Sequence, residues 1–465
     1  MSPARRGSTG APRLVLASSA ALALAAFAAV LAFSGDVGGA EGRAGRRLQE
    51  HGGDHPPWYS FLIIPAIAAV VGYLTNVVAL KMTFYPLEYQ PRFLSFAQIP
   101  TQPMGWLPGW QGIIPAKAGI MAGKLCELMT TELIDIKEVF SKMDPAQMAK
   151  LMHPGIAKST QAAVEKVALQ EFPALWHALD ADVKEEIYDV ASEDNEILIR
   201  MFMEALQDRI LEVFDMNHLV VTMAEANKGV MVNIFQRVGS HELRIIERSG
   251  LYFGFLFGIL QAVVYWYAQD WWILPLFGFA VGYATNYLAL LLIFRPLHPK
   301  KFCGITIHGA FLQRQQEVSV EMADASASFF FKADRIWGEI LGGRLKPELD
   351  KLVAGVVYKY IDQVALAGAK PLALVVLGNE RFERIRAAVA EAVLESMPEN
   401  VVYAYEYMET AMDVERTMRE ALAKLPSNEF EGVLHPAFQQ DEIKLILVGG
   451  VLGMAVGFVQ AFAVF

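Results

Sequence analysis

Two asparagines lie inside apolar stretches that are long enough to cross a bilayer, and each directly follows a threonine. Thr75-Asn76 and Thr285-Asn286 occupy equivalent positions in a repeated Gly-Tyr-x-Thr-Asn-x-x-Ala-Leu motif. An amide in hydrocarbon needs hydrogen-bond partners, which a neighbouring helix can supply. Two such amides can instead line a solute path near the membrane midplane. The motif therefore indicates helix packing or transport, and we favour packing.

Small residues accompany each asparagine at helical spacing, on what would be one helix face. They are Gly72, Ala79 and Thr83 around Asn76, and Gly278, Gly282 and Ala289 around Asn286. Small side chains let two helix backbones approach closely. We expect this face to contact another membrane helix.

A second repeated motif combines Gly-x-x-x-Gly with a trailing Gln-Ala. Its residues are Gly254, Gly258 and Gln261 in one copy and Gly453, Gly457 and Gln460 in the other. The distance from Gly254 to Gly453 is 199 residues, and that from Asn76 to Asn286 is 210 residues. Two copies with the same trailing glutamine predict helix pairs in which the glutamines hydrogen-bond to the asparagines.

The composition is typical of an integral membrane protein. Of the 465 residues, 54% are hydrophobic and 19% are charged, and the mean hydropathy is +0.31. Soluble domains carry about 25% charged residues. The formal net charge of −10 argues against a nucleic-acid partner, because such binding uses clustered Lys and Arg. The two cysteines, Cys126 and Cys303, lack metal-site spacing and are predicted to be buried free thiols.

Five apolar segments are long enough to span a membrane, which takes about 20 residues. The first is Leu14–Phe33, and the others are 58–84, 251–268, 271–294 and 443–465. Arginines ahead of the first segment predict a signal peptide or signal anchor within residues 1–57. Cleavage near Val37–Ala40 and retention stay open, and an organelle transit peptide is a weaker alternative.

Basic residues beside the spans predict the orientation, because Lys and Arg favour the cytoplasmic side. They are Lys81, Arg92, Arg244, Arg248, Arg295, Lys300, Lys301 and Lys444. The turn Gln269-Asp270 has no positive charge. Both long polar regions, 87–250 and 297–442, are therefore predicted to lie on the cytoplasmic side of a membrane that the sequence does not identify.

The motifs divide the rest of the chain into two repeats. Repeat 1 covers residues 58–268 and repeat 2 covers residues 271–465. Each has two transmembrane helices around a long polar region, in which apolar residues recur at helical spacing. Asp144-Pro145 predicts the start of one helix in the first polar region. Since each repeat crosses twice, both copies share one orientation. The predicted fold is an all-α, multi-pass membrane protein with two tandem parallel repeats.

Four basic residues are candidates for contact with lipid headgroups. Lys81 lies about one turn from the end of its span and can extend to the headgroups. The others are Arg295, Lys300 and Lys301. The favoured alternative is that these residues only set the orientation.

Other motifs indicate little chemistry. His51, Asp54 and His55 favour a flexible turn over a metal site, and the acidic run Asp180–Glu196 lacks the spacing of a calcium loop and predicts a solvated helix face. No zinc-protease, hydrolase or phosphate-loop motif is present. We therefore predict no cofactor, no metal and no enzymatic activity.

The two motifs give the chain a resemblance to the membrane proteins of the domain of unknown function 445 family. The hallmark is Gly-Tyr-x-Thr-Asn-x-x-Ala, then Met-x-Phe-x-Pro, a Gln-Gly step and a closing glycine-rich helix with Gln. The similarity runs from about Trp58 to the C-terminus. The sequence departs from the hallmark at Tyr85, at Leu291-Leu292 and at His308, which stands where Gln is expected. The resemblance implies a membrane-embedded helical architecture and supplies no activity, substrate or catalytic residue.

Two functional hypotheses follow. The first is a membrane-anchored helical scaffold or interaction protein, with a four-helix anchor holding two helical domains at the cytoplasmic face. The alternative is a small-solute or lipid transporter or channel built on the duplicated repeat, and an enzyme acting on lipid is third. The expected partners are the lipid bilayer, an unidentified protein at the polar helical regions and, in a homo-oligomer, a second copy of the chain.

Overall fold

The computed structural model describes residues 60–267, 270–302, 305–366, 368–432 and 442–464. The predicted signal segment, the turn residue Gln269 and Cys303 lie outside these ranges. The chain forms two compact units. The membrane unit falls within Met1–Met121, Lys228–Val318 and Leu425–Phe465, and the helical unit comprises Ala122–Asn227 and Ser319–Lys424.

The described elements are helices, apart from one hairpin of two short strands. The helices are α1 (Ser60–Phe84), α2 (Ile113–Ala116), α3 (Ala118–Leu128), α4 (Ile136–Ser141), α5 (Pro145–Glu171), α6 (Pro173–Ala178), α7 (Ala181–Glu193), α8 (Asn195–Asp208), α9 (Ile210–Val213), α10 (Met216–Ala226), α11 (Lys228–Val238), α12 (Ser240–Tyr267), α13 (Ile273–Phe294), α14 (Ala310–Gln313), α15 (Gln315–Phe330), α16 (Ala333–Gly342), α17 (Lys346–Tyr360), α18 (Lys370–Leu377), α19 (Asn379–Asn400), α20 (Tyr405–Met412), α21 (Val414–Lys424) and α22 (Glu442–Val459). Strands β1 (Lys300–Phe302) and β2 (Ile305–Ile307) pair antiparallel. Short 3₁₀ or π-helical turns cover Arg92–Ala97, Met129–Leu133, Ile361–Ala365, Val401–Ala404 and Gln460–Val464.

Four helices of the membrane unit are long and apolar enough to cross a membrane. The qualifying segments are Phe61–Phe84, Ser240–Tyr267, Ile273–Ile293 and Glu442–Phe462. They confirm four of the five predicted spans. A bent pair, Lys346–Ala365 with Lys370–Leu377, also qualifies by composition, but α17 buries Leu349, Leu352 and Val353 within the helical unit.

Helix α12 begins at Ser240, well before the predicted span start at Leu251. Its first turns are polar, so the hydropathy of the sequence detects only the later part. Glu242, Ser249 and Gly250 are nevertheless buried. The helix therefore continues out of the apolar segment as a packed element.

Within the membrane unit, α1 packs along α12 and α13 packs along α22. Further contacts join α12 to α13, and α1 to both α13 and α22. The four helices thus form one bundle made of two closely packed pairs.

The helical unit draws on both polar regions. Helices α5 and α8 from the first region pack against α17 and α19 from the second. This differs from the two separate helical domains that the sequence suggests, because apolar faces of both regions are buried against each other.

Local predictions in the polar regions are confirmed. Asp144 caps α5, and its Oδ1 accepts a hydrogen bond from the Ala146 amide at 2.9 Å. Most of the acidic side chains along α7 are exposed, as expected of a solvated face. Cys126 is a free, buried thiol, as predicted.

Candidate functional site: the asparagine and glycine helix pairs

Asn76 connects α1 to α12 through its side-chain amide. The side chain is fully buried, and Nδ2 donates a hydrogen bond to the main-chain carbonyl of Ile246 at 2.6 Å. The same carbonyl accepts the Ser249 hydroxyl at 2.8 Å. Because a carbonyl only accepts, the amide nitrogen, and not the amide oxygen, must point toward it.

Asn286 makes the same contact between α13 and α22. Its side chain is buried, and Nδ2 donates to the main-chain carbonyl of Leu445 at 2.8 Å. Ile246 lies eight residues before Gly254, and Leu445 lies eight residues before Gly453. The two asparagines therefore bond to carbonyls at matching positions of the two glycine motifs.

The threonines of the motif bond within their own helices. Thr75 Oγ1 donates to the Gly72 carbonyl at 3.0 Å, and Thr285 Oγ1 donates to the Gly282 carbonyl at 3.2 Å. Both side chains are buried. A buried hydroxyl without a partner is unfavourable, and these local bonds satisfy both hydroxyls without a second helix.

Glycines bring the two helices of each pair into backbone contact. A Cβ on Gly72 would overlap the carbonyl of Gly250 and approach Gly254, and one on Gly282 would overlap the carbonyl of Gly449. Gly278 and Gly453 face each other in the same way. Since Gly has no Cβ, the asparagine amide of one helix can reach a carbonyl of the other.

The second glycine of each trailing motif packs against a proline. A Cβ on Gly258 would lie 2.6 Å from Pro65 Cα, and one on Gly457 would lie 2.5 Å from Pro275 Cα. The sequence does not reveal this partner, although Pro65 and Pro275 share the 210-residue spacing of the asparagines. Close packing therefore extends along each pair.

The two motif alanines are buried. Ala79 packs with Ile113 and Leu445, and Ala289 is fully buried. The main chain of Leu445 accepts the hydrogen bond from Asn286. Helix α1 therefore also packs against the pair formed by α13 and α22.

The predicted bonds between asparagines and glutamines are wrong, because Asn76 and Asn286 donate to main-chain carbonyls instead. Gln261 and Gln460 are both buried. Among the described residues, Asn76 Oδ1, Asn286 Oδ1 and Gln261 Nε2 have no hydrogen-bond partner. Each pair thus has a satisfied amide nitrogen beside an unsatisfied amide oxygen.

A further pair of equivalent contacts lies in the segments that follow α1 and α13, where a side chain meets a main-chain carbonyl. Gln111 Nε2 donates to the Leu87 carbonyl at 2.6 Å, and His308 Nε2 lies 3.1 Å from the Leu297 carbonyl. A carbonyl cannot donate, so His308 must carry its proton on Nε2. His308 therefore makes the contact that Gln111 makes, despite its departure from the family hallmark.

The basic candidates differ in their surroundings. Arg295 lies 3.6 Å from Glu431 in an ion pair, and Lys81 is half-buried near the end of α1 while Lys301 is exposed. The side chain of Lys300 is outside the described set. Arg295 thus already faces a carboxylate, whereas Lys301 is accessible to a headgroup.

An ion pair that the sequence did not reveal joins the partly buried Arg314 to Glu242 at 3.1 Å. Glu242 is buried, and Arg314 also contacts Glu317 at 2.7 Å. A carboxylate removed from water needs such a partner. The pair explains why a charged residue is tolerated in the first turn of α12.

No group of three or more His, Cys, Asp and Glu side chains within the described ranges is arranged to hold a metal ion. The Cys126 thiol is buried. Burial, with a smaller effect of Asp215, raises its pKa to about 12. A thiol in this state is protonated at neutral pH and therefore a weak nucleophile.

The chain is similar to bacterial membrane proteins. A UPF0754 membrane protein of Bacillus thuringiensis (strain Al Hakam) is 25% identical over 157 residues. Proteins of the same name from Bacillus cereus (strain AH187) and Bacillus anthracis (strain A0248) are 26% identical over 157 residues. Each match covers 34% of this chain and 37% of the relative.

No family model matches the chain, and no solved structure matches it. The similarity to the domain of unknown function 445 family therefore remains a resemblance. The relatives carry membrane protein in their names, and four described helices are apolar and long enough to span a bilayer. The chain is an integral membrane protein with several transmembrane helices.

Proposed function

We propose that the protein is a membrane-anchored helical scaffold. The two asparagine and glycine pairs form the anchor, and the helical unit provides the surface for a protein partner. The observation that carries the proposal is that both motif asparagines donate to main-chain carbonyls of the paired helix, at 2.6 Å and 2.8 Å. The groups most suited to bind a solute are used to hold helices together. This role involves no chemical turnover.

The anchor consists of two tandem parallel repeats, one formed by α1 and α12 and the other by α13 and α22. The matching contacts of Asn76 and Asn286 support this arrangement. A second support comes from the helical unit, to which both polar regions contribute. A compact unit cannot form across a bilayer, so both regions lie on one side of the membrane. The flanking Lys and Arg residues favour the cytoplasmic side.

One observation favours the alternative, a solute or lipid transporter or channel. The Oδ1 atoms of Asn76 and Asn286 are buried, and no described donor contacts them. A buried acceptor without a partner is unfavourable, and transported solutes can supply hydrogen bonds at such sites. The alternative therefore requires both oxygens to face a continuous path.

Flux measurements separate the two functions. We would reconstitute the protein in liposomes that contain carboxyfluorescein and a fluorescent phosphatidylcholine, and measure solute release and lipid exchange between leaflets. The scaffold proposal predicts rates equal to those of protein-free liposomes. Flux that disappears in the Asn76→Leu and Asn286→Leu variants, but persists in the neighbouring Tyr287→Leu variant, would establish the alternative.

A further inference from the structure

The helical unit contains a cavity of about 780 Å³. It lies among α5, α6, α7, α8, α17 and α19, and its lining consists mainly of aliphatic and aromatic side chains. Sites for small molecules have volumes of roughly 300–1,000 Å³. The cavity therefore has the size of a ligand site.

Four polar side chains of the lining pair with one another, while the carboxylates Glu193 and Asp194 also belong to the lining. Asn195 Nδ2 donates to Thr160 Oγ1 at 2.9 Å, and Asn400 Nδ2 donates to Ser159 Oγ at 3.1 Å. A buried water needs two to four polar partners. Because these four groups are paired and most of the remaining lining is aliphatic or aromatic, the chemistry of the lining favours a hydrocarbon over water.

Helix α7 covers one side of the cavity without being buried itself. None of its residues is buried, although Ile187, Val190 and Ala191 line the cavity. Val190 is 67% exposed, and Leu175 on α6 is 59% exposed. Both side chains line the cavity, so its lining includes apolar side chains that are exposed at the surface. A hydrocarbon inside would supply the contacts that α7 lacks.

A smaller polar crevice of about 260 Å³ adjoins the cavity. Ser159 and Asn400 line both spaces, and Lys158 and Lys166 line the crevice. Lys166 also forms an ion pair with Glu395 at 2.6 Å. A mainly apolar cavity that shares lining residues with a crevice holding paired charges matches a molecule with a hydrocarbon chain and a polar end.

We propose that the cavity binds one hydrocarbon chain of a membrane amphiphile, with the polar end of that molecule at the crevice. The chain belongs to a free fatty acid or to a phospholipid, since both present the same hydrocarbon. The inference goes beyond the scaffold role and does not rest on it, because it concerns side chains of the helical unit alone.

Photocrosslinking of the full-length protein tests the proposal. The protein would be placed in phosphatidylcholine nanodiscs with palmitic acid that carries a terminal diazirine, or with phosphatidylcholine that carries the same acyl chain. Mass spectrometry would then locate the crosslinks. We expect crosslinks on α5, α7 or α19, together with those on the membrane helices. Crosslinks from the acid alone identify a fatty acid, and crosslinks from the phospholipid identify a bilayer lipid, so either result supports the proposal.

Variants that fill the cavity provide the decisive comparison. Ala163→Phe and Ala191→Phe each place a phenyl ring in the cavity, and Ala387→Phe places one on the exposed face of α19. We expect crosslinks in the helical unit to fall about tenfold or more in the first two variants, because displacing two methylene groups costs about that factor in affinity. Crosslinking of the helical unit should be unchanged in the Ala387→Phe variant, and crosslinking of the membrane helices should be unchanged in all three variants.

Two results would overturn the proposal. One is a pattern of crosslinks confined to the membrane helices with both probes, which would also arise if a protein partner fills the cavity. The other is labelling of the helical unit that Ala163→Phe and Ala191→Phe leave intact. Gel filtration and a thermal scan identify any variant that fails to fold, and two separate filling sites keep the test valid if one does.

Discussion

The side-chain amide of Asn286 donates a hydrogen bond to the main-chain carbonyl of Leu445 at 2.8 Å. Asn76 repeats this contact with Ile246 in the other helix pair. Since every residue has a main-chain carbonyl, this acceptor does not depend on the side chain at position 445. What the contact does require is close approach of the backbones, which the glycines allow.

The glycine contacts predict a strong effect of a single methyl group. Gly282→Ala places its Cβ on the carbonyl of Gly449, so α13 and α22 must separate. We expect the free energy of unfolding to fall by about 1–3 kcal/mol, the usual effect of overpacking. Thermal or denaturant unfolding in detergent measures it.

Gly355→Ala in α17 is the matched control. A Cβ there meets no atom within 4 Å, and alanine favours a helix over glycine by about 0.5–1 kcal/mol. We expect unchanged or slightly higher stability. A Gly282→Ala variant as stable as this control would show that the backbone contact is not needed.

The ion pair between buried Glu242 and partly buried Arg314 predicts energetic coupling. Glu242→Gln should lower stability by about 1–3 kcal/mol, because Arg314 loses a charged hydrogen-bond partner and keeps only Glu317. The double variant Glu242→Gln/Arg314→Gln should lose less than the sum of the two single variants. By comparison, Lys346→Gln in the exposed pair with Asp350 should cost less than about 1 kcal/mol. The coupling would be refuted if the stability loss of the double variant equalled the sum of the losses of the two single variants.

Cys126 should react slowly with thiol reagents in the folded protein. Burial raises the pKa of its thiol from the usual 9.0 to about 12. Below about pH 9 the thiol is protonated in both the folded and the unfolded chain, so it does not make the free energy of unfolding depend on pH. Between about pH 9 and 12 the unfolded chain loses the proton first, so the free energy of unfolding falls as the pH rises. In a Cys303→Ser background, maleimide labelling at pH 8 should be slow until a denaturant unfolds the chain. Rapid labelling of the folded protein would contradict the burial.

The proposed repeat arrangement predicts the topology. A protease-cleavable tag within Asp180–Glu196 and another after Phe465 should be accessible from opposite sides of the membrane, since the chain crosses once more after its second polar region. Vesicles of known orientation allow the comparison. Accessibility of both tags from the same side would overturn the number of spans.

Part of this architecture was predictable from the sequence. Apolar runs located four spans, and Asp144-Pro145 marked the start of α5, because both depend on local residues. The polar first turns of α12 were missed, since tertiary packing and not hydropathy buries Glu242. The acceptors of Asn76 and Asn286 were also missed, because a main-chain carbonyl leaves no trace in the sequence. Likewise, the cavity brings together α5 and α19, which lie far apart along the chain.

The central claim is that the motif asparagines hold the helix pairs together. The most direct test compares unfolding in detergent of Asn286→Leu with that of Tyr287→Leu, since Tyr287 is 45% exposed and stands next to Asn286. The account predicts that Asn286→Leu loses about 1 kcal/mol, the size of a hydrogen bond between membrane helices, and that Tyr287→Leu changes little. Equal stability of the Asn286→Leu variant and the unmodified protein would contradict it.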